Sequence, residues 1–344
     1  RRASRLWREQ EIRVEGRAAY LPGYGYSIQR RILLEILAGR ARELGVVVRD
    51  GHRFDPGAPA DRAELGEADL VIASDGANSP LRTANQRGFG TRTALGANPY
   101  IWLGTNKVFS KFTFSFRKTP EGWLWFHAYP SSARISTCII ECTEQTWRAH
   151  GFDWRDDADS IALLAKIFEA DLGGAELISQ AHDRPAQWLR FTEVSNETWV
   201  QDNLVLLGDA AHTTHFTIGS GTRLAMVDAV ALAQCLYAEP DVPSALREYD
   251  TRRRAELQPV QASARASQAW FEHIDPYLDQ DASGFAYSMS SRQGEQLPWR
   301  YRKHQATQLP MVRAGRRHYD TVARWYGAAR RGEPRATPAR GEGG

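Results

Sequence analysis

Four consecutive apolar residues, Leu204 to Leu207, run directly into Gly208-Asp209, and a loop carrying Gly219 and Gly221 then leads into a helical pattern. That order admits few folds. An unbroken apolar run suits a parallel strand covered on both faces. Gly208 permits the turn that carries Asp209 past the carboxyl end of the strand, where α/β sheets receive ligands. Gly219 and Gly221 let backbone approach a flat ligand closely. The first N–H groups of the following helix, near Ser220 to Thr222, offer partial positive charge to an anion. A lone Gly-Asp pair would be an ordinary turn before a helix capped by Thr222.

A second stretch, about 130 residues upstream, repeats the design, and two such motifs in one chain are far more specific than either alone. The apolar run Leu70 to Ala73 is followed by Ser74-Asp75-Gly76, and Ser79-Pro80 then gives an N-cap and first-turn pair that opens a helix containing Arg82. A third begins at Ile28-Gln29-Arg30. Its apolar residues Ile32, Leu33, Ile36, Leu37, Ala41 and Leu44 recur at helical spacing, Gly45 stops the helix, and Val46-Val47-Val48 reads as a short strand.

In this order the three stretches resemble the FAD-dependent aromatic hydroxylases of the para-hydroxybenzoate hydroxylase type, the class A flavoprotein monooxygenases. The resemblance implies an α/β fold: a Rossmann-like FAD-binding domain, here N-terminally truncated, with an inserted antiparallel-sheet substrate domain and C-terminal helices. It implies that Asp209, after the Gly208 turn, holds a ribityl hydroxyl of FAD, and that Gly219, Ser220, Gly221 and Thr222 lie beside the flavin ring. Asp75 and Gly76 match an element near the pyrophosphate that is linked with the passage of NAD(P)H, with Arg82 a further candidate. Arg30 matches an arginine that reaches the cofactor's phosphates, a task suited to a planar guanidinium fork. The implied activity is NAD(P)H- and O2-dependent hydroxylation of an aromatic ring through a flavin C4a-hydroperoxide.

The strand-rich middle narrows the resemblance. Leu103-Gly104-Thr105 with Phe112-Thr113-Phe114, then Phe126 to Pro130, then Glu141 to Trp147, resemble the aryl-CoA hydroxylase branch of salicylyl-CoA 5-hydroxylase and anthraniloyl-CoA monooxygenase. The loop His215-Phe216-Thr217-Ile218-Gly219-Ser220-Gly221-Thr222 fits that branch too, where most hydroxybenzoate hydroxylases have Pro-x-x-Gly-x-Gly. Violacein-type hydroxylases share a similar loop. An aryl-CoA substrate is therefore the first reading, with a free or carrier-bound aryl amine or indole, or a non-catalytic relative, left open.

Histidine titrates near operating pH and suits proton or hydrogen-bond work at such a site. His215 is the catalytic candidate, Phe216 and His127 are substrate candidates, and His212 is read as a structural hydrogen bond behind the loop. Trp102, Phe114, Phe116, Trp125 and Phe126 read mainly as core, with one or two lining the pocket.

The family's opening Gly-x-Gly-x-x-Gly turn has no counterpart. Gly23 and Gly25 fall in a Pro-Gly-Tyr-Gly stretch read as a loop, and Gly88-Phe89-Gly90 lacks a flanking strand and helix. The reading is a shortened chain that purifies without bound flavin.

The expected organisation is a first cofactor-domain part over 1–92, a mainly antiparallel substrate domain over 96–198, and a second cofactor-domain part over 199–238. A C-terminal helical region over 239–329 and a disordered tail over 330–344 follow. Strands are expected at 100–103, 112–116, 123–127 and 135–141, and helices over about 159–171 and 243–278. A net charge of +3 on 344 residues implies no nucleic-acid partner. Cys138, Cys142 and Cys235 form neither a disulfide framework nor a metal pattern, and read as buried small hydrophobes. No apolar run reaches the ~20 residues needed to span a bilayer, so the cytoplasm is the expected compartment. The arginine runs at 252–254 and 313–317 read as solvated helix faces.

Overall fold

The computed structural model describes residues 3–179, 186–292 and 298–315. The chain opens with a hairpin, β1 (Arg5–Val14) and β2 (Arg17–Ser27), followed by helices α1 (Arg30–Glu43) and α2 (Pro59–Glu67), strand β3 (Val71–Ala73), and short helices α3 (Pro80–Ala84) and α4 (Gln86–Phe89). Four strands come next: β4 (Arg92–Thr105), β5 (Phe112–Thr119), β6 (Gly122–Pro130) and β7 (Ser136–Cys142). Then come α5 (Glu144–Ala149), α6 (Asp157–Ile167), α7 (Glu169–Leu172), β8 (Leu177–Ser179) and β9 (Trp188–Ser195). Strands β10 (Val200–Gln201) and β11 (Leu204–Leu206) lead into helices α8 (Gly221–Ala238), α9 (Val242–Glu272), α10 (Ala282–Ser290) and α11 (Pro298–Gln308).

Two sheets result. The larger has the order β2-β1-β5-β6-β7-β4-β8, with β9 also paired to β4, and is antiparallel except where β1 runs parallel to β5. The smaller has the order β10-β11-β3, and β11 lies parallel to β3 with Leu204, Val205 and Leu206 opposite Val71, Ile72 and Ala73. The two strand-then-acid stretches of the sequence are thus side by side, although strands β4 to β9 of the larger sheet lie between them in the chain.

Period-two alternation gives the large sheet two different faces. Ile101, Leu103, Leu124, Phe126, Ala128, Cys138, Ile140 and Cys142 point to one side and form a core with Leu164, Phe168 and Leu172 of the α6–α7 region. Phe114, Phe116 and Trp125 point to the other, against Trp270 and Phe271 of α9 and Phe285 and Met289 of α10. A third core joins Val205 and Leu206 of the small sheet to Leu224, Leu232 and Cys235 of α8 and to Leu246, Tyr249 and Leu257 of α9. Helix α9 therefore belongs to both halves. At ~1.5 Å rise per residue its 31 residues extend about 46 Å.

Four strands appear where the sequence places them, and all three cysteines are buried and free. Other expectations need correction. Residues 5–27, assigned from sequence to the cofactor part within 1–92, are strands of the larger sheet. Gly23 and Gly25 lie in β2 rather than in a loop. An edge strand tolerates Pro22 and two glycines because one row of its backbone groups needs no partner. Val46 to Val48 form no strand; Val47 is 84% exposed and pairs with nothing among the described residues. The helix expected over 159–171 breaks at Phe168 into α6 and α7. The tail 330–344, and residues 316–329 of the expected helical region, lie outside the described residues.

Candidate active site at the paired strand ends

Parallel pairing of β3 and β11 brings their carboxyl ends together, and Leu207 N–H donates to Ala73 O at 2.9 Å. Beyond that bond the two chains diverge, one into Asp75-Gly76 and the other into Gly208-Asp209. Gly76 has φ +89° and Gly208 φ +61°, conformations that favour glycine. Gly208 has a second reason to lack a side chain, since a Cβ there would come within 3.0 Å of Ala225 on α8.

Arg82, a cofactor candidate from sequence, turns inward instead. It is 4% exposed, and its guanidinium donates to Ala77 O at 2.5 Å and to Ala210 O at 3.1 Å. It laces one strand-end loop to the other. Ser79 accepts from Arg82 N–H at 3.0 Å, which is the cap expected ahead of Pro80.

The Gly208 turn is held from behind by Asp228 on α8, which is fully buried. Its carboxylate accepts from Gly208 N–H at 3.2 Å, pairs with His212 Nε2 at 2.8 Å, and accepts from Arg253 Nε at 2.7 Å. His212 also stacks on Trp199 at 4.9 Å, so it is the structural histidine that its position suggested. Sequence reasoning missed Asp228 and Arg253. The signal was a lone acid on the apolar stripe Leu224, Ala231, Leu232, Cys235, with one buried arginine hidden in a run of three.

Asp209, Asp75 and Arg30 stand exposed on the open side, and none has a hydrogen-bond or ion-pair partner among the described residues. Arg30 is close enough for its charge to act on Asp209. Partial desolvation at the strand end, despite the exposed outer side, raises the Asp209 carboxyl above its ordinary range, while His212 and Arg30 pull it back. The loop that follows is also open. Gly219 has φ +61°, and a Cβ at Gly219 or Gly76 would meet empty space. Helix α8 starts at Gly221 with Ser220 in the cap position. Ser220 makes no side-chain capping bond to the first turn, and Thr222 lies inside the helix rather than at the cap. Ser220 Oγ and Thr214 Oγ1 are buried without hydrogen-bond partners among the described residues. Unused donors, a free carboxylate and a glycine-lined gap at two strand tips fit a flavin with its ribityl chain.

His215 and Phe216 sit where this loop meets the aromatic face of the large sheet. Phe216 lies 4.6 Å from the ring of Tyr100 and 5.6 Å from His127, whereas His215 abuts Phe191 at 4.8 Å. His127, 2% exposed, shares its sheet face with Phe114 and Phe112, and its Nδ1 has no hydrogen-bond partner among the described residues. Burial takes the His127 pKa down to about 3, and Arg292 adds to the effect. His215 falls to about 3 as well, through burial and then through His127 and Arg292. Both rings are neutral at pH 7. His215 Nδ1 bonds Thr217 Oγ1 at 2.8 Å, and Thr217 Oγ1 bonds Ser267 Oγ of α9 at 2.8 Å. Tyr100, Phe191 and Arg292 were not picked out from sequence; they reach the site through tertiary folding alone. Of the aromatic residues read as core, Phe126 faces away from this region, and Trp102 is 40% exposed on the near face.

Comparison with known proteins agrees with this geometry. Residues 28–264 match the family model described as FAD binding domain. The chain is 38% identical over 284 residues to a salicyloyl-CoA 5-hydroxylase from a Streptomyces species, covering 80% of this chain and 53% of that protein. It is 38% identical to the 3-hydroxy-4-methyl-anthranilyl-[aryl-carrier protein] 5-monooxygenase of Streptosporangium sibiricum, covering 86% of this chain and 76% of that one. Identity to the protodeoxyviolaceinate monooxygenase of Chromobacterium violaceum is 32%, covering 77% and 69%. The chain thus spans about half the length of the first relative and more of the others. Among solved structures, 2-methyl-3-hydroxypyridine-5-carboxylic acid oxygenase shares the fold with a TM-score of 0.61 at 18% identity, covering 85% of this chain and 80% of that one. A Pseudomonas aeruginosa PqsL structure does so with a TM-score of 0.59 at 15% identity, covering 83% and 81%. With its paired strand ends, its open glycine loop and a family match over more than half its length, this chain belongs to the FAD-binding domain family of flavoprotein monooxygenases.

Proposed function

We propose that this chain forms the flavin- and substrate-binding body of an NAD(P)H- and O2-dependent hydroxylase acting on an aromatic ring presented as an acyl thioester. The observation that carries the proposal is the meeting of the open strand-end site with a buried aromatic face through one loop, Thr214 to Gly221. Two relatives at 38% identity, one named for a CoA thioester and one for a carrier-bound anthranilyl group, support the thioester class. A carrier-bound or free aryl amine is the second reading, favoured by the anthranilyl and violaceinate relatives.

In this reading Asp209 holds the ribityl chain, Arg30 and the Asp75-Gly76 turn lie toward the phosphates, and Gly219 to Thr222 face the flavin ring. A bound flavin supplies hydride acceptance from the nicotinamide and delivery of one oxygen atom from O2. The protein supplies position and electrostatics. The uncapped N–H groups of α8 stabilise negative charge on the ring system. Phe216, Tyr100 and Phe191 exclude water and stack against the substrate ring. His215 is neutral and its Nδ1 is committed to Thr217, so its other nitrogen is the one that can bond a reacting oxygen. The division into cofactor and substrate parts is proposed to follow the two sheets, with residues 5–27 on the substrate side. No helix among the described residues is long and apolar enough to cross a membrane, and we place the protein in the cytoplasm.

The test is oxidation of NADPH by the FAD-supplemented protein, with product analysis, using salicyloyl-CoA, anthraniloyl-CoA and free tryptophan. Hydroxylated thioester is the expected product. Turnover of tryptophan alone would favour the second reading, and flavin binding with no substrate-stimulated oxidation would overturn the hydroxylase assignment.

A further inference from the structure

Glu141 of β7 is a buried acid that the proposed reaction does not use. It is 1% exposed and accepts from Asn98 Nδ2 at 2.8 Å and from Trp125 Nε1 at 3.2 Å. Among the described residues no cation stands within ion-pair distance of it. Keeping a carboxylate away from water without a cation is costly, and burial pushes this carboxyl up to about 7. A buried indole N–H needs an acceptor, but a neutral oxygen would satisfy it at less expense to the fold. What the carboxylate adds is a base in contact with Trp125.

Trp125 begins an aromatic series that leads away from the site. His127, two residues along the same face of β6, is about 7 Å further by strand rise, and it meets Phe216 of the proposed flavin loop. On the helical side Trp125 stacks on Phe271 of α9, with ring centres 6.1 Å apart. Phe271 meets Trp270 edge-on at 5.0 Å, and Trp270 stacks on Tyr277, in the turn after α9, at 5.0 Å. Trp125 is fully buried, Trp270 is nearly so, and Tyr277 is half-buried. Phe114, Phe116 and Phe285 in the same core need no explanation beyond packing. Tryptophan and tyrosine differ from them in giving up one electron readily, and an indole or phenol that has done so becomes a strong acid. Trp125 has Glu141 to take its proton. The Trp270 indole N–H has no hydrogen-bond partner among the described residues, so an electron vacancy there keeps its proton and moves on. The series reaches water at Tyr277, where the proton can leave.

We propose that Trp125, Trp270 and Tyr277 form a route that carries one-electron oxidation out of the aromatic site to the protein surface, with Glu141 as proton acceptor for Trp125. The inference rests on the flavin reading above, because NADPH oxidation that fails to hydroxylate substrate is the source of oxygen-derived radicals in this site. A hydroxyl radical takes one electron from Trp125 and one proton from solvent and leaves as water, while the indole proton moves to Glu141 Oε2. Trp270 then returns an electron to Trp125, and Glu141 returns the proton. Tyr277 reduces Trp270 and releases its phenolic proton to water. A thiol in solution restores Tyr277 with one electron and one proton. Phe271 bridges the two indoles by contact and is not itself oxidised. The rings that meet the flavin loop, His127 and Phe216 among them, are thereby spared.

The probe is blue light on the FAD-saturated protein without oxygen, since excited flavin is itself a one-electron oxidant. A nitrone spin trap in solution marks the radical that reaches the surface, and peptide mass spectrometry locates the adduct. Wild type should be labelled at Tyr277. Tyr277→Phe and Trp270→Phe should both lose that adduct, and Trp270→Tyr, which restores an oxidisable ring, should regain it at Tyr277. A ring needed only for packing would not separate those two replacements of Trp270. Glu141→Gln keeps an acceptor for the indole but not the base, and should lower the yield. Trp154→Phe, at a tryptophan 75% exposed and off the series, should leave labelling of Tyr277 unchanged. Equal FAD affinity across the set shows that the site is intact. Wild-type labelling of Tyr277 in Trp270→Phe, or a wild type labelled only elsewhere, would overturn the inference and leave the flavin reading standing. Failure of wild type to bind FAD would overturn the flavin reading and this route with it.

Discussion

Replacing Asp228 with alanine is the sharpest test of how the strand-end site is built. The carboxylate is fully buried and satisfies three donors: the Gly208 amide, His212 Nε2 and Arg253 Nε. Arg253 is 4% exposed, and its other carboxylate contact, Glu256 at 3.1 Å, is 52% exposed and therefore well screened. Removing Asp228 leaves a buried guanidinium without adequate compensation, a loss of about 3–5 kcal/mol. Replacing both members with apolar residues should cost less than removing the acid alone, because no orphaned charge remains. Urea denaturation of the wild type, Asp228→Ala, Arg253→Met and the double variant gives the cycle directly. FAD titration of the same set should show weaker binding, since the Gly208-Asp209 turn loses its rear support. A destabilisation below about 1 kcal/mol, or strictly additive effects in the double variant, would refute the claim that this buried pair organises the turn.

Other expectations follow from the same geometry. Asp209→Ala should lower FAD affinity by about 1.5–3 kcal/mol, through loss of a charge-assisted hydrogen bond. It should leave urea stability nearly unchanged, because the carboxylate has no hydrogen-bond or ion-pair partner among the described residues; fluorescence titration and a denaturation curve check both halves. His215→Ala should raise hydrogen peroxide released per NADPH consumed, and unchanged coupling would remove His215 from the reaction. His127 and His215 have pKa values near 3 in the fold against an ordinary 6.5, so the protein should lose stability as pH falls from about 6.5 towards 3, where the unfolded chain takes up protons that the fold refuses. A His127→Phe/His215→Phe variant should show a flatter acid limb in thermal melts. Glu141 has the opposite sign: its carboxyl is pushed up to about 7 from 4.5, so stability falls as pH rises between these values, and Glu141→Gln should remove that slope.

Much of the site could be read from local chemistry. Apolar run, glycine, acid and small-residue loop each carry their own physical meaning, and Leu70–Gly76 and Leu204–Thr222 do form the two strand ends. The same local logic placed β4 to β7, where aromatic and β-branched residues alternate. It failed where the decisive partner is remote. Nothing near Arg5–Ser27 says that β1 will pair with Phe112–Phe116, and Pro22, Gly23 and Gly25 disguise β2. Arg253 looks like its neighbours Arg252 and Arg254, and only the meeting of α8 with α9 distinguishes it. Arg82 looked free for phosphate until the loop around Ala210 claimed it. Arg292 drew no notice because an isolated arginine carries no pattern.

The side-by-side placement of β3 and β11 has a consequence for the order of assembly. Ala73 must find Leu206 across more than a hundred intervening residues, and closing so wide a loop through an unstructured chain is entropically costly. Once the hairpins of the larger sheet have zipped, that span becomes short in space, and the remaining search is brief. The flavin cradle should therefore be among the last parts to mature, with slow folding expected of so non-local a pairing. A cofactor that binds only the finished cradle would then trap the protein at the final step, so that supplying FAD during refolding raises the yield without hastening the early phases.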